Sequence, residues 1–188
     1  MSPCGKVFTL AGVRPRCGPI DQRKIAAFAR RKSGVQIPLG PSPRLKVLFV
    51  CGGNTCRSPM AAAIFEHESS GHHEVRSCGV SADRGSRATA EAREALKPMG
   101  LSLEAHRSSP LLPDTLVWAD VVVALDEQGR TTAGVLKALP YGRWFEVWRI
   151  DDPLGCGPAE YAKARDAIAA LIPGLVSRIE STSTSENS

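Results

Sequence analysis

The sequence predicts an α/β fold built on a parallel β-sheet. Short runs of β-branched and apolar residues, typical of buried strands, alternate with longer helix-forming runs between residues 45 and 180. The first apolar run leads into a loop with two adjacent glycines, Gly52 and Gly53, and a helix-forming run follows at once. A strand, a glycine-containing loop and a helix N-terminus in this order form an anion site. Main-chain N–H groups and the positive end of the helix dipole converge there.

The elements follow one another along the chain with recognisable boundaries. Strands are predicted at residues 45–50, 74–78, 119–125 and 145–150, and helices at residues 58–69, 89–99, 126–139 and 159–179. Ser58 is a suitable N-cap for the first helix, with Pro59 at its first position. Gly100 is suited to end the second helix. Pro173 predicts a kink in the last helix, because proline has no N–H to donate.

Residues 1–44 differ in composition from the rest of the chain. They contain nine lysines and arginines and one acid, Asp21, for a net charge of +8, so residues 45–188 carry −3 of the chain's +5. Pro38, Pro41 and Pro43 break the chain into an extended linker. We expect a flexible basic extension, or a translation start assigned too far upstream; a partner-binding arm and a targeting peptide are the alternatives. Residues 45–180 are predicted to form the folded domain, and residues 181–188 a polar tail.

The composition excludes several classes of protein. Hydrophobic residues make up 43% and charged residues 23% of the 188 residues, as in an ordinary globular protein. No apolar run reaches the roughly 20 residues that a membrane helix needs. The six cysteines are scattered without a CxxC pair, which disfavours a zinc site and a disulfide scaffold and favours a reducing, cytoplasmic compartment. We therefore expect a monomer without cofactor, metal or membrane partner, and no nucleic-acid partner for residues 45–180.

Two side chains in the glycine-containing loop carry the expected chemistry. Cys51 begins this loop and Arg57 ends it, and residues 51–57 are called the Cys51 loop below. The converging N–H groups and the guanidinium both favour the thiolate, so we expect the pKa of Cys51 to lie well below that of a free cysteine. Arg57 can bind two phosphoryl oxygens through its planar fork, and Ser58 can donate a hydrogen bond to the sulfur. A nucleotide-binding P-loop is disfavoured, because it needs lysine followed by Ser or Thr here.

The chain resembles the low-molecular-weight protein tyrosine phosphatase family, whose signature is similar to residues 50–61, VCGGNTCRSPMA. The resemblance covers residues 45–179. It implies a three-layer α/β/α domain of flavodoxin-like type with a four-stranded parallel sheet, and metal-independent hydrolysis of phosphomonoesters. It also implies that Cys51 is the nucleophile, that Arg57 holds the phosphoryl group, and that the substrate-binding residues of the loop are Gly52, Gly53, Asn54, Thr55, Cys56 and Ser58.

A second chemical element follows the last predicted strand, at residues 151–155, called the acid loop below. Because loops at the carboxyl ends of parallel strands gather at one edge of a sheet, the acid loop and the Cys51 loop can meet. A carboxylic acid there can protonate the leaving group and then deprotonate the water that cleaves a phosphocysteine. The resemblance gives this role to the residue directly before Pro153, which is Asp152; Asp151 is the alternative.

The expected substrate depends on Thr55 and Leu154. Tyrosine phosphatases of the family usually carry an aliphatic residue at the place of Thr55, and threonine there resembles the protein-arginine phosphatase branch. A hydroxyl can hydrogen-bond a guanidinium, and an ionised Asp152 can pair with it. Thr55 as a merely tolerated β-branched residue is the alternative. Leu154 departs from both branches of the family, which generally have an aromatic residue after Asp-Pro. This departure weakens the expected stacking wall for phosphotyrosine and also the expected recognition of phosphoarginine.

The other loop residues have roles implied by geometry or by the resemblance. Asn54 is expected in a left-handed turn, which asparagine tolerates. In the family, a cysteine pair such as Cys51 and Cys56 forms a disulfide that protects the nucleophile from irreversible oxidation; a small buried residue is the alternative for Cys56. His106 and Ser108 fall where the family has a polar support for the loop, with a structural histidine as the alternative.

The favoured function is a cysteine-dependent protein phosphatase that acts on phosphoarginine ahead of phosphotyrosine. A protein tyrosine phosphatase is the first alternative. An arsenate reductase on the same fold is the second, but the family's reductases carry a cysteine pair after the third strand, and residues 119–150 contain no cysteine. A non-catalytic phosphoprotein-binding module is the third, and an intact set of Cys51, Arg57 and Asp152 argues against it.

Overall fold

The computed structural model describes residues 44–126, 135, 137–140 and 143–185, and for residues 182–185 the backbone alone. The basic extension predicted at residues 1–44 lies outside the described residues except for Arg44, and so do residues 186–188 of the predicted tail. Most of the helix predicted at residues 126–139 is also outside them, although Val135 and residues 137–138 are helical.

The four described strands form one parallel sheet, as predicted. They are β1 (Lys46–Cys51), β2 (Glu74–Gly79), β3 (Val121–Ala124) and β4 (Trp144–Val147), in the spatial order β2-β1-β3-β4. The central strand β1 has no exposed side chain from Val47 to Val50. A strand buried on both faces needs a continuous apolar run, because no face is left for polar residues. The sheet places the ends of β1 and β2 side by side, with Cys51 opposite Gly79.

Helices cover both faces of the sheet and give the three layers that were predicted. The helices are α1 (Arg57–Glu68), α2 (Ala90–Leu96), α3 (Pro113–Trp118) and α4 (Pro158–Ser185). One face packs Phe49 and Val123 against α1, α2 and α4, in a core that includes Phe65, Ile168 and Ile172. The other face packs Leu48 and Val122 against Leu116 of α3 and against Val135. Burial of these side chains is the main force that holds the layers together.

The start of α1 corrects one prediction. Ser58 does not cap this helix: the helix begins at Arg57, its N-cap is Cys56, and no side-chain hydrogen bond caps it. The hydroxyl of Ser58 lies instead 2.9 Å from the sulfur of Cys51. Pro59 is consequently the third helical residue, where the missing N–H is still one of those without an intrahelical partner.

Further differences from the sequence prediction concern α3, β4 and α4. The six-residue helix α3 was not predicted, because it is too short for a clear 3.6-residue pattern, and its only local signal is Pro113 at the first position. Strand β4 ends at Val147 rather than residue 150, since the chain turns into the acid loop. Helix α4 continues through Pro173 to Ser185, past the predicted end at residue 179, because a polar run without Gly or Pro contains no stop signal.

The second helical segment lies close to its predicted bounds and ends at the predicted glycine. The side chain of Thr89 accepts a hydrogen bond from the N–H of Ala92 at the start of α2. After α2, a turn of 3₁₀-helix at Lys97–Met99 leads to Gly100, which has a left-handed φ of 71° as expected for a helix end. Within the described part of the chain, none of the helices combines the length and the apolar character that crossing a bilayer requires.

Candidate active site

The Cys51 loop lies at the carboxyl edge of the sheet, between β1 and α1. Its tip is Asn54, whose φ of 53° is left-handed, as predicted from the tolerance of asparagine for this geometry. The backbone of the loop is tied to the segment after β2: the N–H of Val80 donates to Cys51 O at 3.0 Å, and the N–H of Ser81 donates to Gly52 O at 2.9 Å. The conformation of the Cys51 loop therefore depends on the segment after β2 as well as on the sequence of the loop itself.

The sulfur of Cys51 is buried and has polar neighbours on two sides. The Ser58 hydroxyl oxygen lies 2.9 Å from it, and the N–H of Asn54 points to it at 3.2 Å. The side chain is only 2% exposed. The structure thus brings the predicted nucleophile together with the serine that was expected to hydrogen-bond it.

The expected depression of the Cys51 pKa is wrong. Burial raises the pKa of this thiol above its ordinary value, because a thiolate loses its hydration when it is removed from water. The Ser58 hydrogen bonds, the charge of Arg57 and the N–H of Asn54 all lower the pKa, but together they do not outweigh burial. The sequence identified the lowering contributions and missed the larger opposing one, since it does not reveal how deeply the sulfur lies in the core.

Asn54 holds the loop through both ends of its side-chain amide. Its Nδ2 group donates to the hydroxyls of Ser58 and Ser77, each at 2.9 Å, and its Oδ1 accepts from the N–H of Ser109 at 2.8 Å. A ring nitrogen of His106 lies 2.8 Å from the main-chain oxygen of Asn54. His106 therefore supports the loop directly, whereas Ser108 hydrogen-bonds Asp83 and Ser86.

Arg57 is fixed in place by the loops that follow β3 and β4. Its Nη1 group donates to the main-chain oxygens of Leu125 and Ile150 at 3.3 and 3.1 Å, and its Nη2 group lies 2.6 Å from Asp152 Oδ2. Asp126 adds a longer ion pair at 3.7 Å. The Nε group of Arg57 is buried and has no hydrogen-bond partner among the described residues. The Nε donor of the guanidinium thus remains for an incoming acceptor.

The acid loop meets the Cys51 loop, as predicted, and it does so through Asp152. The Asp152 side chain is 49% exposed, so one edge faces solvent while the other pairs with Arg57. Its second oxygen accepts from the N–H of Leu154 at 3.2 Å. Leu154 is 60% exposed, and Asp151 is also exposed. The contact with Arg57 favours Asp152 over Asp151 as the residue that faces the nucleophile.

Thr55 and Cys56 point to different neighbours. The main-chain oxygen of Thr55 accepts from the N–H of Thr89 at 3.0 Å, and its hydroxyl lies 3.7 Å from the sulfur of Cys56. The sulfur of Cys56 contacts the Thr89 hydroxyl at 3.6 Å and the Tyr161 hydroxyl at 3.5 Å. Cys51, Cys56, Cys78 and Cys156 are all free thiols. A Cys51–Cys56 disulfide stays a prediction, and it would require Cys56 to leave its contacts with Thr89 and Tyr161.

Gly79 is a residue of the site that sequence reasoning missed. A Cβ atom at this position would lie 2.5 Å from Gly52 O, 2.8 Å from the nitrogen of Asn54 and 2.9 Å from the carbonyl carbon of Gly53. Real Cβ atoms do not approach backbone this closely, so only glycine lets the Cys51 loop lie against the end of β2. The sequence shows only a glycine that directly follows a predicted strand, which does not by itself reveal this contact.

Replacing Ser58 by alanine should raise the pKa of Cys51 further. The Ser58 hydroxyl is the largest of the contributions that lower this pKa, because it hydrogen-bonds the thiolate. The test is the pH dependence of alkylation of Cys51 by iodoacetamide, followed on its peptide by mass spectrometry in a Cys156→Ser background that lacks the exposed thiol. We expect the midpoint to move to higher pH in Ser58→Ala and to stay in place in Ser181→Ala. A midpoint that falls or does not move would show that the 2.9 Å contact does not stabilise the thiolate.

Comparisons with known proteins agree with this geometry. Residues 46–185 match the family described as low molecular weight phosphotyrosine protein phosphatase. A protein-arginine-phosphatase of Geobacillus stearothermophilus is 38% identical over 147 residues, which cover 72% of this chain and 96% of that protein. Arsenate reductase 1 of Staphylococcus epidermidis is 30% identical over 133 residues, covering 71% of this chain and 96% of the reductase. The solved structure of YwlE arginine phosphatase from Geobacillus stearothermophilus superposes with a TM-score of 0.68 at 34% identity, covering 75% of this chain and 96% of that one.

Proposed function

Since the chain belongs to the low molecular weight phosphotyrosine protein phosphatase family, we propose that it hydrolyses phosphoarginine in proteins through a phosphocysteine on Cys51. The observation that carries the proposal is the Cys51–Arg57 arrangement: a buried thiol beside a guanidinium whose Nε donor has no partner among the described residues. A buried donor without a partner is costly. A phosphoryl oxygen is the acceptor that would remove this cost, and it would also bring the phosphorus atom to the sulfur.

The reaction has two displacements. The sulfur of Cys51 attacks phosphorus, an S–P bond forms, and the P–N bond to the guanidine breaks as the departing nitrogen takes a proton. Water then attacks the phosphocysteine, the S–P bond breaks, and inorganic phosphate leaves. The hydroxyl of Ser58 at 2.9 Å from the sulfur supports both steps, because it stabilises the thiolate before attack and again when it departs.

Asp152 is proposed as the group that moves the proton. Its contact with Arg57 at 2.6 Å places it beside the guanidinium that is expected to hold the phosphoryl group. Burial raises the pKa of the Cys51 thiol, so this thiol starts protonated. We propose that Asp152 takes the proton that the thiol releases and passes it to the departing nitrogen, after which it deprotonates the attacking water. The first displacement then needs no proton from solvent.

The preference for phosphoarginine over phosphotyrosine rests on Thr55, Asp152 and Leu154. The Thr55 hydroxyl has a sulfur contact at 3.7 Å as its one hydrogen bond within the described residues, and therefore retains capacity for a polar substrate. A carboxylate such as Asp152 complements a guanidinium. Leu154, exposed at the edge of the site, offers methyl groups but no ring on which an aromatic substrate can stack.

The Thr55→Ile variant should lose preference for phosphoarginine. We expect the ratio of kcat/KM for a phosphoarginine peptide to that for a phosphotyrosine peptide to fall at least about tenfold, the scale of one lost polar contact. Thr55→Ser is the matched control, because it retains the hydroxyl, and its ratio should stay close to that of the wild type. Equal ratios in the wild type and Thr55→Ile would show that Thr55 does not determine the substrate preference. A wild type that prefers phosphotyrosine would overturn the proposed substrate while leaving the chemistry of Cys51 intact.

Arsenate reduction is less well supported for this chain than phosphatase activity. An arsenate reductase must pass a disulfide outward from its nucleophile to other thiols. No cysteine lies between Cys78 and Cys156 in the sequence, and burial raises the pKa of Cys78 to about 12, which disfavours the thiolate that a disulfide relay needs. The monomeric state and cytoplasmic location expected from the sequence stay predictions.

A further inference from the structure

The hydrogen bonds between β2 and β1 show which backbone groups of β2 point away from the sheet, along its outer edge. The N–H of Glu74 donates to Leu45 O at 2.9 Å, and the N–H of Val80 donates to Cys51 O at 3.0 Å. In a parallel ladder, alternate residues of a strand bond to the same neighbour, so residues 74, 76, 78 and 80 face β1. Val75, Ser77 and Gly79 therefore direct their N–H and C=O groups away from β1, toward the outer edge.

Gly79 has partners on this outer edge, whereas Val75 and Ser77 do not. The N–H of Gly79 donates to Ser109 O at 3.0 Å, and the N–H of Leu111 donates to Gly79 O at 2.8 Å, in a parallel bridge opposite Pro110. Within the part of the chain that the structure describes, no hydrogen bond reaches the outward N–H or C=O of Val75 or Ser77. Unpaired backbone at a sheet edge is a template for another strand.

A groove opens at these unpaired groups. It has a volume of about 370 Å³ and lies between Val75–Cys78 of β2, helix α1, and the segment from Ser102 to Ser109. The α1 side includes two small residues, Ala62 and Ala63, which leave room for an incoming backbone, together with Pro59 and Glu66. The bridge at Gly79 closes one end of the groove, so the accessible edge from Val75 to Ser77 is about 7 Å long at roughly 3.3 Å per residue.

The charges that line the groove are mainly positive. Arg76 and Arg107 both line it, and Glu66 is the one acidic residue among its lining residues. The guanidinium of Arg76 lies 4.1 Å from the ring centre of Trp118, and Arg107 donates to the main-chain oxygens of Glu104 and His106. Neither arginine has a carboxylate partner among the described residues. Both guanidinium groups are therefore placed to meet carboxylates of an occupant.

We propose that this groove binds an extended, acidic segment of a partner protein, which adds to β2 as a further strand. A peptide backbone provides both donors and acceptors and so pairs with the N–H and the C=O groups of Val75 and Ser77, which a small anion cannot do. Carboxylates of the segment pair with Arg76 and Arg107. This placement is independent of the proposed phosphatase activity, because none of these pairing groups contacts Cys51 or Asp152.

The groove adjoins the back of the Cys51 loop. The hydroxyl of Ser77 accepts from Asn54, and His106 and Ser109, which also line the groove, hold the main chain and the side chain of Asn54. The Ser77 side chain thus links a strand added at Val75–Ser77 to Asn54 at the tip of the Cys51 loop. The docked segment is held beside the catalytic loop and does not enter the catalytic cleft.

The test uses the full chain and a fluorescent peptide of alternating glutamate and valine. We expect saturable binding by fluorescence polarisation, weakened by salt, and shifted amide resonances of Val75 and Ser77 in ¹⁵N spectra. Val75→Pro removes an outward N–H without touching the ladder with β1, and it should weaken binding about tenfold or more. It should leave hydrolysis of para-nitrophenyl phosphate unchanged, which shows that the domain remains folded. A peptide of the same sequence with N-methylated amides cannot donate to the outward C=O groups of Val75 and Ser77. It should therefore bind the wild-type protein as poorly as the ordinary peptide binds Val75→Pro.

Three results would overturn the proposal. Equal binding of the N-methylated and the ordinary peptide would show that strand pairing is not used. Equal binding of a lysine-valine peptide would show that the charge of the groove does not select its occupant. Dimerisation in sedimentation, abolished by Val75→Pro, would show that a second copy of this chain occupies the edge instead.

Discussion

Replacing Cys51 by serine is expected to lower kcat/KM for para-nitrophenyl phosphate at least about ten-thousand-fold. A serine hydroxyl at this position has the same neighbours, with Ser58 at 2.9 Å from the original sulfur and the N–H of Asn54 at 3.2 Å. The environment is therefore retained and the nucleophile alone is changed. Oxygen is a poorer nucleophile here, because its proton is held more tightly than that of a thiol in the same buried site.

The matched control is Cys156→Ser, which changes an exposed thiol next to the acid loop. We expect its kcat/KM to stay within a factor of about two of the wild type, as is usual for surface substitutions away from the reacting groups. The Cys51→Ser protein should unfold in urea at nearly the wild-type concentration, since the exchange is almost isosteric. If Cys51→Ser retained substantial turnover, the covalent mechanism would be wrong, whatever the family.

Replacing Gly79 by alanine is expected to reduce kcat at least about a hundredfold while the domain stays folded. The added Cβ would meet the backbone of Gly52, Gly53 and Asn54 at 2.5 to 2.9 Å, so the Cys51 loop must move away from β2. A displacement of about 1 Å in groups that position a substrate can cost a hundredfold in rate. Steady-state kinetics together with circular dichroism separate this effect from unfolding.

Gly157→Ala is the control for Gly79→Ala. A Cβ at Gly157 meets no atom within 4 Å, and the residue does not have a positive φ. The same exchange should therefore be nearly neutral for activity there. Wild-type kinetics in Gly79→Ala would show that the Cys51 loop tolerates a shift at β2, and that its position is not fixed by this contact.

Much of the fold followed from local patterns in the sequence. Strand β1 is a continuous apolar run, and such runs are buried on both faces of a parallel sheet. Gly100 marked the end of the second helical segment through its capping chemistry, whereas Thr89, which caps the start of α2, was predicted only as the first residue of the helix. Helix α3 could not be predicted in the same way, because six residues are too few for a period, and its stability comes from burying Leu116 under the sheet.

The place of the candidate site was predictable, but not its energetics. The Cys51 loop and the acid loop follow strands whose ends share one edge of the sheet, so their proximity could be expected, whereas the choice of Asp152 over Asp151 came from the family resemblance. The pKa of Cys51 was predicted in the wrong direction, because the depth of a sulfur is a property of the packed core. Gly79 was missed for a related reason: its role depends on a contact between β2 and the loop after β1, which no local pattern encodes.

The most direct test of the account is to look for the phosphocysteine itself. In Asp152→Ala the Cys51 thiol must release its proton to solvent, and the weakly basic para-nitrophenolate leaves without an acid. Both steps can proceed at raised pH, whereas the water that cleaves the intermediate has lost its base, so we expect the intermediate to accumulate. Rapid quenching and mass spectrometry should then find one phosphoryl group per chain, on the peptide that contains Cys51. A burst of para-nitrophenol with no phosphorylated peptide, or with the phosphoryl group on any other residue, would contradict the account.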